Sequence, residues 1–124
     1  MPACRILVAD DKASSRELVR TILENLGYEV READDGIKAL QAIRESLPDL
    51  VLLDLQMPGL TGHEVLARLR ADERFAKLPV VALTASAMSG DREKALAAGF
   101  TSYLAKPVTL STLRAEVSRL LQPQ

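Results

Sequence analysis

Tryptophan is absent from this sequence, and cysteine and histidine occur once each. The lone Cys4 excludes an internal disulfide framework and suits a reducing compartment. With no cysteine pair and no histidine cluster, a zinc site has no ligand set. A basic excess is missing too: 16 Lys and Arg face 17 Asp and Glu, a net charge of -1, which argues against a broad nucleic-acid-binding face. No apolar run approaches the roughly 20 residues that cross a bilayer. The N-terminal apolar stretch, residues 6–9, runs straight into Asp10 and Asp11, unlike a secretory signal. The expectation is a soluble, cytoplasmic protein with neither a nucleic-acid nor a membrane partner. Its 124 residues fit one domain over 1–124, large enough to fold without disulfide or metal staples.

What is present alternates between two periods. Residues 6–9 form a short branched apolar run, suited to a strand buried on both faces. Leu18, Val19, Ile22, Leu23 and Leu26 then recur at helical spacing, with Arg16, Glu17, Arg20 and Glu24 between them as a solvated face, and Gly27 placed to stop the helix. A more exposed strand follows at 28–33. Asp35 can cap a helix with the stripe Ala39, Leu40, Ile43 and Leu47, closed by Pro48. Residues 50–53 are the most apolar run and end at Asp54. After the loop 55–61, a helix from Gly62 shows Val65, Leu66 and Leu69. A fourth strand at 79–83 ends at Thr84; Ser89 can cap a weakly amphipathic helix running to Gly99; a fifth strand at 101–104 ends near Lys106 and Pro107. Leu110, Leu113, Val117, Leu120 and Leu121 mark a last helix. Five strand–helix units with continuous apolar strands predict an α/β fold, a doubly wound parallel sheet with helices on both faces.

In such a sheet, ligands bind beyond the carboxyl ends of the strands. There the sequence places Asp10 and Asp11 after strand one, Asp54 after strand three, Thr84 after strand four and Lys106 after strand five. Three clustered carboxylates repel one another unless they take up protons or bind a cation. Oxygen-only ligands in a small open site select a hard ion, and Mg²⁺ suits it better than Ca²⁺. Metal and ammonium together prepare a site for an anion, the arrangement that phosphoryl transfer needs. Asp54, at the end of the central strand, is the best candidate nucleophile, with Asp10 and Asp11 serving the metal. Taken singly, each residue has a plainer role: the acids as helix caps, Thr84 as a turn hydroxyl, Lys106 as a surface lysine, Tyr103 as packing, and Met57-Pro58 as a loop shaper. Convergence from separate strands favours the metal reading.

The pair Asp10-Asp11, the run from Asp54 through Met57-Pro58 to Gly62, Thr84-Ala85 and Lys106-Pro107 resemble the response-regulator receiver domain (CheY-like) of two-component signalling. The likeness runs from Arg5 to about Leu121, with Thr84 30 residues after Asp54 and Lys106 22 after Thr84. The resemblance implies a five-stranded sheet in the order 2-1-3-4-5 with five helices. It implies Asp54 as phosphoacceptor for a phosphoryl group from a histidine kinase or histidine phosphotransfer protein. Mg²⁺ would be held by Asp11, Asp54 and the backbone carbonyl of Gln56, with Asp10 acting through water. Lys106 would pair with a phosphoryl oxygen, across a cis bond to Pro107. Thr84 and Tyr103 would relay the change to the surface of helix four, strand five and helix five, and so to a downstream protein target. The resemblance also implies that Gln56 and Ser86 would overlook the nucleophile, where side chains in this family tune the lifetime of the phosphorylated state.

The resemblance implies a switch, not an enzyme, beyond assisting its own phosphorylation and dephosphorylation. Two rivals fit poorly. An aspartyl-phosphate hydrolase of the haloacid-dehalogenase type needs an acid two residues after the nucleophile, where Gln56 stands. A flavin module needs a Ser/Thr/Gly-rich phosphate loop after strand one and stacking rings, whereas acids occupy that loop and only two tyrosines and two phenylalanines are present. His63, opening helix three, is expected to be exposed and no phosphoryl donor. The chain ends three residues after Leu121, so the expected output is protein–protein contact; Met1 favours a free-standing regulator, with the receiver of a hybrid histidine kinase as the alternative.

Overall fold

A computed structural model describes residues 4–85 and 88–121. Its elements are β1 (Arg5–Ala9), α1 (Ala13–Asn25), β2 (Glu29–Ala33), α2 (Gly36–Glu45), β3 (Leu50–Asp54), α3 (Gly62–Arg70), a 3₁₀ turn (Glu73–Phe75), β4 (Val80–Thr84), α4 (Asp91–Ala98), β5 (Ser102–Ala105) and α5 (Leu110–Leu121). The strands pair in parallel in the order β2-β1-β3-β4-β5, as expected.

The continuous apolar strands have a direct cause. Side chains alternate across a strand, so Leu7, Ala9, Val51, Leu53, Val80 and Ala82 point into one apolar layer. Ile6, Val8, Leu50, Leu52, Val81 and Leu83 point into the other. The first layer is completed by α2, α3 and α4 through residues such as Leu40, Ile43, Val65, Leu66 and Ala95. The second is completed by α1 and α5 through Val19, Leu23, Leu113 and Val117. Edge strand β2 is the exception, with Glu29, Arg31 and Glu32 exposed. Among the described residues no helix is long and apolar enough to cross a membrane.

Local signals explain the boundaries. Gly27, at φ 95°, donates its N–H to the Glu24 carbonyl while Tyr28 donates to Leu23, the paired bonds of a left-handed helix stop. The Asp35 carboxylate caps α2 by accepting the Lys38 N–H at 2.8 Å. Four expectations need correction. Leu18, Leu47 and Leu110 lie on the read stripes but are 50%, 56% and 51% exposed. Leu47 falls outside because α2 ends at Glu45 and Ser46 is already extended; Leu18 and Leu110 sit at the margins of stripes centred on Val19–Leu23 and Leu113–Val117. Ser89 does not cap α4. Gly90, at φ 88°, takes that place without a side-chain cap, and the Asp91 carboxylate accepts the Met88 N–H instead.

Candidate functional site

The ladder itself delivers the polar groups. Asp10 extends β1 by one more bond, its N–H donating to the Ala33 carbonyl at 3.0 Å. Asp54 is the last residue of β3, and Thr84 the last of β4. Beyond β5 the Lys106 N–H donates to the Thr84 carbonyl at 2.7 Å, and the Lys106–Pro107 bond is cis. All four residues therefore meet at the carboxyl edge of the sheet.

There the Lys106 ammonium donates to Asp10 Oδ2 at 2.7 Å and to Asp54 Oδ2 at 3.2 Å. The remaining oxygens accept backbone N–H groups two residues on: Lys12 N–H to Asp10 at 3.0 Å, Gln56 N–H to Asp54 at 3.1 Å. Asp10 is fully buried, Asp54 is 4% exposed, and Asp11 lies open to solvent. Carboxylate oxygens of Asp10, Asp11 and Asp54 lie within 4.8 Å of one another.

Burial and charge shift the two buried acids in opposite directions. Burial pushes Asp10 up, but hydrogen bonds from Lys106, the Lys12 N–H and Ser15 outweigh it and hold the carboxyl below its usual range. Burial also pushes Asp54 up; the Gln56 N–H and the Lys106 charge oppose this, repulsion from Asp10 adds to it, and the carboxyl ends above its usual range. Burial would lower the Lys106 ammonium, yet its bond to Asp10 and the charge of Asp54 leave it raised and firmly protonated. Asp10 and Lys106 thus form the settled ion pair, and Asp54 is the member whose charge burial disfavours. A donor set made only of carboxylate oxygens, with one lysine against three acids, fits a hard divalent cation such as Mg²⁺.

Other residues shape the surroundings. A Cβ on Gly62 would lie 2.6 Å from the Asp54 carbonyl oxygen, so α3 starts directly on the backbone of the acid and only glycine permits the contact. A capping box fixes that start: Thr61 Oγ1 accepts the Glu64 N–H, and the Glu64 carboxylate accepts the Thr61 N–H. Met57 is buried in the core, consistent with a loop-shaping role. Thr84 is buried at 4% exposure; Ser86 lies outside the described residues. Tyr103 sits in the α3–α4 layer, and its hydroxyl is buried with no hydrogen-bond partner among the described residues. His63 is exposed as expected, its ring edge-on to Phe100 at 5.4 Å.

Sequence reasoning missed two contributors. The box Thr61-Gly62-His63-Glu64 has the spacing of a capping box and was legible. The role of Arg16 was not. Read as a solvated face, Arg16 and Arg20 instead both bind Glu32 of β2, at 2.9 Å and 2.6 Å, and Arg16 also donates to the Asp10 carbonyl at 2.9 Å. That pairing runs from α1 to β2 and to the end of β1, and has no signature in helical spacing.

Comparison with known proteins agrees with this geometry. A family model described as the response regulator receiver domain matches residues 6–118. The sensor protein EvgS of Escherichia coli (strain K12) is 41% identical over 117 residues, 94% of this chain but only 10% of EvgS. This chain therefore spans a tenth of that relative. Chemotaxis protein CheY-3 of Vibrio cholerae is 36% identical over 119 residues, 95% of this chain and 92% of CheY-3. Among solved structures, the receiver domain of the sensor histidine kinase PA1611 from Pseudomonas aeruginosa PAO1 superposes with a TM-score of 0.90 at 34% identity, covering 98% of this chain and 100% of that one. That structure has a magnesium ion coordinated in its active-site cleft.

Proposed function

This chain belongs to the response regulator receiver domain family of two-component signalling, a phosphorylation-dependent switch, and we propose on that premise that Asp54 is its phosphoacceptor. The donor is a phosphohistidine on a histidine kinase or histidine phosphotransfer protein. An Asp54 oxygen attacks phosphorus and forms the new P–O bond. The P–N bond to the donor imidazole breaks, and its electron pair returns to that nitrogen. Asp11, Asp54 and the backbone carbonyl of Gln56 would hold Mg²⁺, with Asp10 acting through water, and the bound ion would supply positive charge to the phosphoryl oxygens. Lys106, whose ammonium lies 3.2 Å from Asp54 Oδ2, transfers one hydrogen bond from the carboxylate to a phosphoryl oxygen. Thr84 donates its hydroxyl to another. Hydrolysis reverses the modification: water attacks phosphorus, inorganic phosphate leaves, and the Asp54 carboxylate is restored, with Gln56 exposed beside it.

The observation that carries this reading is the lysine bridge between two buried acids that come from different strands. The output runs through Thr84 and Tyr103 to the face of α4, β5 and α5, where a protein target binds. The likeness to EvgS and to the PA1611 receiver supports a second reading, in which the domain acts within a hybrid histidine kinase; the acceptor chemistry is the same. Incubation with acetyl phosphate and Mg²⁺, followed by intact-protein mass spectrometry, tests the proposal. The expected result is a single labile phosphoryl adduct that is lost in Asp54→Asn and in metal-free buffer. An adduct that persists in Asp54→Asn, or none in the wild type, contradicts it.

A further inference from the structure

The orientation of Asp11 has no support of its own: its side chain is exposed, and among the described residues no hydrogen bond holds its carboxylate. Its placement therefore depends on the peptide unit that joins it to Asp10. A peptide is planar, so fixing its carbonyl oxygen fixes the direction in which the next Cα leaves. That oxygen is Asp10 O, and it accepts Arg16 Nη1 at 2.9 Å. The same guanidinium is held from its other side, Nε donating to Glu32 Oε1 at 2.9 Å, while Arg20 Nη1 holds Glu32 Oε2 at 2.6 Å. Only 18% of the Arg16 side chain is exposed. The preceding peptide is pinned as well, through the Asp10 N–H on the Ala33 carbonyl at 3.0 Å.

We propose that Arg16 is a positioning residue for the cation site: its guanidinium, braced by Glu32, clamps the Asp10–Asp11 peptide so that the exposed Asp11 carboxylate stays beside Asp10 and Asp54. The proposal rests on the reading of these acids as Mg²⁺ ligands. It makes a prediction of sign. A guanidinium acting merely as a nearby positive charge opposes cation binding, so its removal would tighten Mg²⁺. A guanidinium that aims a ligand does the reverse.

The test is the Mg²⁺ dissociation constant of wild type, Arg16→Ala, Arg16→Lys and Glu32→Gln, measured by calorimetric titration at low and at high salt. Arg16→Ala is expected to bind Mg²⁺ roughly tenfold more weakly, the loss typical when a group supporting a metal ligand is removed, and the deficit should survive high salt, which screens charge effects. Glu32→Gln should weaken binding less, and the double variant Arg16→Ala/Glu32→Gln no more than Arg16→Ala alone, since both act through one clamp. Arg16→Lys, which keeps the charge but cannot reach both partners in the same fork, should also lose affinity; it reads the same question if Arg16→Ala does not fold. Arg16 variants that bind Mg²⁺ as tightly as wild type, or tighter, overturn the proposal. A wild-type protein that binds no Mg²⁺ overturns the reading of the acids themselves, and the clamp with it.

Discussion

Helices α3 and α4 pack on the same face of the sheet, yet they are held very differently. In α3, Gly62, Val65, Leu66 and Leu69 are buried, the capping box secures its first turn, and Gly62 rests against the Asp54 backbone. In α4 only Ala95 is buried, Gly90 offers no side-chain cap, and Leu96 is 40% exposed. Apolar burial contributes about 25 cal/mol per Å², so little opposes a displacement of α4, whereas α3 is tied to the core through large side chains. Both helices adjoin the Asp54 end of the sheet: α3 rests against the Asp54 backbone, and Asp91 of α4 lines one cavity with Gln56 and Thr84. If Asp54 is the phosphoacceptor proposed above, the difference marks where its phosphoryl group would act. The firmly held helix gives the site its fixed wall, and the loosely held one can answer.

That contrast can be broken most forcefully at α3. Leu66→Ala removes a side chain that is 1% exposed and should cost about 2–5 kcal/mol in urea unfolding, whereas Leu96→Ala on α4 should stay within about 0.5 kcal/mol. Comparable losses from the two would remove the distinction. Thr61→Ala deletes the cap of α3 and should cost about 1 kcal/mol. No such effect is expected from Ser89→Ala before α4, because Gly90 stands at the cap position.

A gentler perturbation acts on the acid between the two helices. The Asp54 carboxyl is raised, so the folded state binds its proton more tightly than the unfolded chain does. Its contribution to stability is therefore present at low pH and is lost as pH rises through the raised value. Asp10, lowered, works in the opposite sense: its contribution is present above the ordinary carboxylate value of 3.8 and is lost as pH falls below it. Metal-free Asp54→Asn should thus melt slightly higher than wild type at neutral pH, and the difference should shrink toward the carboxylate range. Thermal melts across pH check this; a lower melting temperature for Asp54→Asn at neutral pH would show that the Lys106 bridge outweighs the burial and repulsion. Millimolar Mg²⁺ should raise the melting temperature of wild type and do so less for Asp54→Asn.

Much of this arrangement was legible in the sequence because its causes are local. A strand buried on both faces must be apolar throughout, so residues 50–53 announced β3 and put Asp54 at its end. Parallel strands send their carboxyl ends to one edge, so strand order alone groups Asp10, Asp54, Thr84 and Lys106 there. Less legible were features set by tertiary geometry. Helical spacing alone could not tell that Leu18 and Leu110 fall at the margins of their stripes, because stripe width depends on how the helix rolls against the sheet. Nor could composition reveal that Arg16 reaches back to the Asp10 carbonyl, or that a left-handed Gly90 displaces Ser89 as the start of α4.

The most direct test of the central claim, that occupation of Asp54 acts through the loosely held helix, is amide hydrogen exchange read by mass spectrometry with and without beryllofluoride and Mg²⁺, a stable mimic of the acyl phosphate. Altered protection is expected in peptides from residues 88–105, which carry α4 and β5, with residues 63–70 of α3 unchanged. Equal changes in both helices, or none in α4 while the mimic is bound, would contradict it.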